Sequence, residues 1–266
     1  VIFGLTKAVQ EVDSGEQDLP CGENHTLEFE DVSFAYPGSE RMVLEHVNMR
    51  LSDRERVALV GRNGSGKSTL IKLICRLYEP SEGRILLDGV DIREISREAY
   101  MDFLSVVFQD YQIFAATLGE NIAMKSDADK GRVEEAIGKI GLKLTEQDMP
   151  LRRDLEADGV EVSGGEGQKI AIARALYKDA PMVILDEPTA ALDPFSESEI
   201  YEKFGTLVEG KLAMFISHRL SSCRFCDRIL VLQDGKIVQD GSHEVLAGQE
   251  GGLYREMWEA QRQYYV

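Results

Sequence analysis

The chain of 266 residues is poor in long apolar runs, in cysteine and in positive charge, and each shortage removes a class of protein. Its longest apolar stretches, VALV (57–60), MVIL (182–185) and RILVL (228–232), are strand-sized, far below the roughly 18 residues a transmembrane helix needs. Four cysteines in a chain this long make no disulfide framework. Cys223 and Cys226 form a CxxC that suits a redox pair or half a zinc site. No second CxxC or CxxH lies nearby to complete four ligands, so the pair reads as ordinary reduced thiols, and Cys75 as a core residue. Thirty Lys and Arg against 47 Asp and Glu leave a formal net charge of −17, which repels a nucleic-acid backbone where no basic stripe compensates, and none is seen. Internal repeats and low-complexity tracts are also absent from the sequence.

What is present is a globular composition, 43% hydrophobic, enough for one large α/β domain or two modest ones. Residues 1–26 carry a short apolar start and then EVDSGEQDLPCGENH, a polar, acidic run that reads as a linker. Together with the start at Val1 rather than methionine, it predicts an upstream segment and a folded domain over 27–266. LEFEDVSFAY (27–36) alternates apolar and polar residues and is broken by PGS, the pattern of a strand and turn. More β-like pieces follow to Val60, then a strand, a Gly-rich loop and a helix, and further strands at 84–87, 104–108, 182–185, 213–217 and 228–232 with helical patterns between several of them. The alternation predicts an α/β fold with a largely parallel sheet, interrupted over about 115–177 by a helical insertion without strands.

Two segments carry the clearest chemistry. GRNGSGKST (61–69) fits G-x-x-x-x-G-K-[ST] between an apolar strand and a helix. The backbone of Gly61, Arg62, Asn63, Gly64, Ser65 and Gly66 would curl around phosphate oxygens, aided by the helix N-terminus that continues through Thr69. Lys67 would reach the β- and γ-phosphates and Ser68 would offer its hydroxyl to Mg²⁺. MVILDEPT (182–189) is a buried strand ending in adjacent carboxylates. Neighbours on an extended chain point to opposite sides, so Asp186 is assigned to Mg²⁺ and Glu187 to polarising the attacking water as general base.

With these motifs in order, the chain resembles the nucleotide-binding domain of an ABC transporter from about Leu27 to the C-terminus. The resemblance implies a P-loop NTPase core of RecA-like type, with an N-terminal antiparallel β subdomain and a helical subdomain. It also implies ATP and Mg²⁺ as the cofactors. Tyr36 in FAYPG stands where that family stacks an aromatic on adenine, and Gln109 in VVFQD matches the Q-loop glutamine, a contact to Mg²⁺ or water. ALD (191–193) matches the D-loop and brings in Asp193; FISHRL (215–220) matches the switch motif, where His218 would hold the γ-phosphate, Glu187 and the water in line. His25, His46 and His243 lack such context and read as surface residues. The C-terminal YREMWEAQRQYYV reads as a packing helix.

VSGGEGQ (162–168) then matches the family's signature loop, whose Ser163, Gly164 and Gly165 would face a nucleotide held by a second ABC ATPase domain, identical or different. One P-loop and one signature per chain imply such a partner. PGSERMVLEHVNMRL and LDGVDIREIS resemble the exporter branch, implying a transmembrane domain in the same polypeptide, a position at the cytoplasmic face of a membrane, and no nucleic-acid partner. The alternatives are a stand-alone importer ATPase, or a non-transport ABC ATPase acting on nucleic acid or ribosomes. Glu166 replaces the family's usual glutamine; S-x-x-E is a capping-box pattern, so Glu166 is expected to turn inward and leave the Ser163 hydroxyl and the glycine amides for phosphate.

Overall fold

The computed structural model describes residues 15–22, 24–152, 159–188, 205, 208–217 and 220–262. The chain forms two compact units, residues 1–104 with 210–266, and residues 105–209.

The first unit holds an antiparallel sheet of β1 (Thr26–Ala35), β2 (Met42–Ser52), β4 (Glu82–Leu87) and β5 (Val90–Asp91) in the order β2-β1-β4-β5. Alternation is visible in what these strands bury: Leu44, Val47, Met49 and Leu51 of β2 go inside while their neighbours face out, as expected when one sheet face meets the core. β3 (Arg56–Val60) instead pairs parallel with both β8 (Leu212–Ile216) and β9 (Arg228–Gln233). Val57, Ala58, Leu59 and Val60 are all buried, because a parallel strand covered on both faces has no solvent side.

The outermost strand of this sheet, β10 (Lys236–Gly241), is one the apolar pattern does not mark. Its burial alternates between exposed and partial over KIVQDG, so no hydrophobic run announces it. It is specified by its turn: Asp234 and Gly235 have φ of 47° and 79°, and two positive-φ residues make the hairpin turn that Asp-Gly favours. Ala58, Val60, Ile229 and Val231 then form one core cluster with Leu220 and Cys223 of a 3₁₀ turn (Leu220–Phe225) and with Leu246, Leu253 and Tyr254. These last three come from helices numbered here α6 (His243–Gly248) and α7 (Leu253–Arg262), so the C-terminal helix does pack.

Helix α1 (Lys67–Ile74) follows β3, and α2 (Arg97–Phe103) starts at Ser96, whose side chain accepts from Ala99 N. In the second unit β6 (Leu104–Val107) is the neighbour of β7 (Met182–Asp186), and between them lie α3 (Leu118–Ala123), α4 (Lys130–Ile140) and α5 (Gly164–Lys178). Only isolated bridges, Thr117 with Pro150 and Leu151 with Val160, interrupt that helical stretch among the described residues. The architecture is the expected α/β fold with a largely parallel sheet, an antiparallel β subdomain and a helical insertion.

Two of the histidines expected at the surface are partly buried instead. His46 is exposed, but His25 is half-buried, with Nδ1 2.7 Å from Asp88 Oδ2 and its ring edge-on to Phe103. His243 is likewise half-buried, 2.8 Å from the Tyr254 hydroxyl and against Trp258. Both stand beside polar sequence that hides the apolar neighbours they meet. Cys75 and Cys223 are buried, and burial raises the thiol of half-buried Cys226, which favours the inert, protonated form.

Candidate nucleotide-binding site

In the first unit, Gly61 through Gly66 form the turn between β3 and α1. Gly66 is the N-cap of α1 at φ 108°, where a Cβ would come 2.8 Å from Leu44 Cδ2; only glycine tolerates both the backbone angle and the contact. Arg62, Asn63 and Gly64 are exposed, as is Ser68, while Ser65, Lys67 and Thr69 are buried. The Lys67 ammonium donates to the carbonyls of Gly61 and Arg62 at 2.9 and 3.1 Å, so the loop curls around its own lysine. Ser65 Oγ is buried and finds no hydrogen-bond partner among the described residues. A buried hydroxyl without a partner costs free energy, and an incoming phosphate oxygen would meet that need.

Tyr36 is set beside this loop. Its hydroxyl lies 3.0 Å from Thr69 Oγ1, and Lys72 Nζ lies 3.4 Å from the same hydroxyl and 5.5 Å from the ring centroid. Phe34 and Tyr78 pack edge-on against it, at 5.0 and 5.2 Å between centroids. Lys72 lies outside the recognised motifs; the sequence signal for it is its place one helical turn after Ser68 and Thr69.

In the second unit, Gln109 is exposed in the turn after β6. Asp186 closes β7 and Glu187 follows at φ 48°. A left-handed non-glycine residue costs about 1–3 kcal/mol and clusters at functional sites. The extended alternation assumed for the two carboxylates therefore stops at Asp186, and a turn of the backbone separates them. Buried Gln168 of α5 donates to the Glu187 carbonyl at 3.4 Å. Gln168 carries no assigned role in the motif; a long amide buried on an otherwise apolar helix face is its signal.

Ser163 is the N-cap of α5. Its Oγ accepts from Glu166 N at 3.3 Å, and Glu166 Oε2 accepts from Ser163 N at 3.1 Å and from Ser163 Oγ at 2.9 Å. Glu166 is turned inward as the capping-box pattern required. The hydroxyl, however, gives its hydrogen to Glu166, so the turn offers its Gly164 and Gly165 region to an anion but not a free Ser163 donor. His218 and the Ala191 to Asp193 stretch, including Asp193, lie outside the described residues, as do residues 1–14 of the N-terminal run.

A family model described as "ABC transporter" matches residues 44–190. The chain belongs to the ABC transporter family. Within that family, it is 39% identical over 265 residues to an ATP-dependent lipid A-core flippase of Burkholderia orbicola (strain AU 1054), a match that covers 99% of this chain and 44% of the flippase. It is 39% identical over 246 residues to the subtilin transport ATP-binding protein SpaT of Bacillus subtilis, covering 89% of this chain and 40% of that protein. A solved bacterial Atm1-family ABC exporter with ATP bound superposes with a TM-score of 0.84 at 34% identity, over 93% of this chain and 44% of that one. The chain thus spans less than half the length of the relatives it matches. It is a nucleotide-binding domain of the ABC transporter family. Among the described residues no helix is long and apolar enough to cross a membrane.

Proposed function

We propose that this chain hydrolyses ATP to drive export of a substrate across a membrane, as one of two ATPase domains that close on nucleotide. The observation carrying this is the 39% identity to a lipid A-core flippase along 99% of the chain, joined to a P-loop with a buried ammonium and a buried hydroxyl that finds no partner among the described residues. A membrane domain would stand upstream in the same polypeptide, with residues 1–26 as the linker from it and 27–266 as the ATPase domain at the cytoplasmic face.

Tyr36 would stack on the base; base–aromatic stacking contributes about 1–3 kcal/mol and discriminates little between bases. Lys67, the loop amides from Gly61 to Gly66, Ser65 and Thr69 would hold the phosphates. Glu187 would take a proton from the attacking water, and His218 would keep water and γ-phosphate in line. Asp193 and the Ser163 to Gly165 turn would face the partner's nucleotide. Mg²⁺, held by Ser68, Gln109 and Asp186, would neutralise charge between the β- and γ-phosphates. Among the described residues no group of three or more His, Cys, Asp or Glu could hold a metal.

Release of phosphate from ATP, dependent on Mg²⁺ and abolished in Lys67→Ala, is the expected result of a colorimetric assay. Turnover that survived loss of Lys67 would sink the assignment.

A further inference from the structure

One aromatic side chain ties the glutamine turn to the first turn of α5. Tyr111 stands two residues after Gln109, and its hydroxyl donates to the Gly164 carbonyl at 2.6 Å. Its ring occupies the space beside Gly167, where an added Cβ would come 2.9 Å from Tyr111 Cε2 and 3.1 Å from the hydroxyl oxygen. Gly167 lies inside a helix and is buried. Glycine is the weakest helix former after proline, and Gly167 is not among the positive-φ glycines, so its backbone angle does not call for it. The ring does. Burial also pushes the Tyr111 phenol above its ordinary value.

We propose that Tyr111 is a positioning residue that fixes the Ser163 to Gly165 turn relative to the glutamine turn, so that the two move as one piece, with Gly167 kept small to admit its ring. Glu166 closes the turn from within through Ser163, and Tyr111 holds it from the side. A phenol has only two side-chain torsions, and here one end is packed and the other bonded, so a shift at Gln109 is carried to Gly164 rather than absorbed. The functional part of this inference rests on the reading of that turn as the face toward a partner's phosphate.

The test is amide hydrogen exchange of the whole chain at Glu166 and Gly167, whose N–H groups bond Ser163. Tyr111→Phe keeps the ring and loses the donor; Gly167→Ala keeps the donor and displaces the ring. Each should speed exchange there by about two- to tenfold, the worth of one hydrogen bond. The Tyr111→Ala/Gly167→Ala pair should be no faster than Tyr111→Ala alone, because the methyl enters vacated space. In a Glu187→Gln background, Tyr111→Phe should also lower the ATP-driven dimer fraction in light scattering while the ATP affinity of the monomer stays unchanged, a split that general destabilisation would not give. Unchanged exchange in Tyr111→Phe, or additive effects in the pair, overturns the tie. Exchange responding as expected with no ATP-driven dimer in any variant would leave the tie standing and remove the phosphate-facing reading alone.

Discussion

At the scale of single residues, Glu187 and Glu166 are both glutamates near proposed phosphate positions, and their surroundings differ. Glu187 sits past the end of a buried strand in a left-handed conformation, and its backbone carbonyl accepts from Gln168 of α5. Glu187→Gln should keep ATP binding and slow hydrolysis by about 10²–10⁴-fold, the range for a general base; single-turnover rates beside nucleotide affinities check this, and near wild-type turnover would refute it. Glu166 already accepts two hydrogen bonds from Ser163. Glutamine can make the same cap, so Glu166→Gln should leave ATP turnover within about threefold, a change smaller than the worth of one hydrogen bond to a charged group. A many-fold rise would mean that the carboxylate repels phosphate despite its cap.

At the scale of elements, the helical unit is set by its caps. Thr117 and Glu120 form a reciprocal capping box on α3, as Ser163 and Glu166 do on α5. The Glu120 carboxyl is held below its ordinary range, first by the Thr117 backbone N–H and then by its hydroxyl. A carboxylate depressed on folding stabilises the native state above its unfolded value, and that contribution is lost as pH falls through the folded one. Glu120→Ala should therefore lower the thermal midpoint at neutral pH, with the gap to wild type closing in acid; a gap of constant size in circular-dichroism melts would contradict the cap. Both boxes are written in the sequence as T-x-x-E and S-x-x-E, since a cap needs only residues within one turn. β10 could also have been found from its Asp-Gly turn, but not from hydrophobicity, because a strand at the sheet's edge and half in solvent keeps no apolar run.

At the scale of the whole molecule, the proposed function has the one P-loop and one signature turn of this chain meet those of a second ATPase domain to complete a site. Hydrolysis per chain should accordingly rise with chain concentration, and a rate independent of dilution would argue for a self-sufficient monomer. The net charge of −17 predicts negligible affinity for duplex DNA at physiological salt, checked by gel shift. The sequence by itself determined the fold class, the phosphate loop and the order of the nucleotide motifs, because each is built from contiguous backbone whose chemistry depends on a few neighbouring residues. Only the tertiary structure decided that Tyr111 is bonded to Gly164 and that Gly167 is small for its sake. It likewise decided that His25 and His243 are half-buried, and that the Ser163 hydroxyl is spent on Glu166. The first two depend on which residues distant in sequence share one volume, and the last on which way a hydroxyl proton is drawn, and neither leaves a periodic trace along the chain.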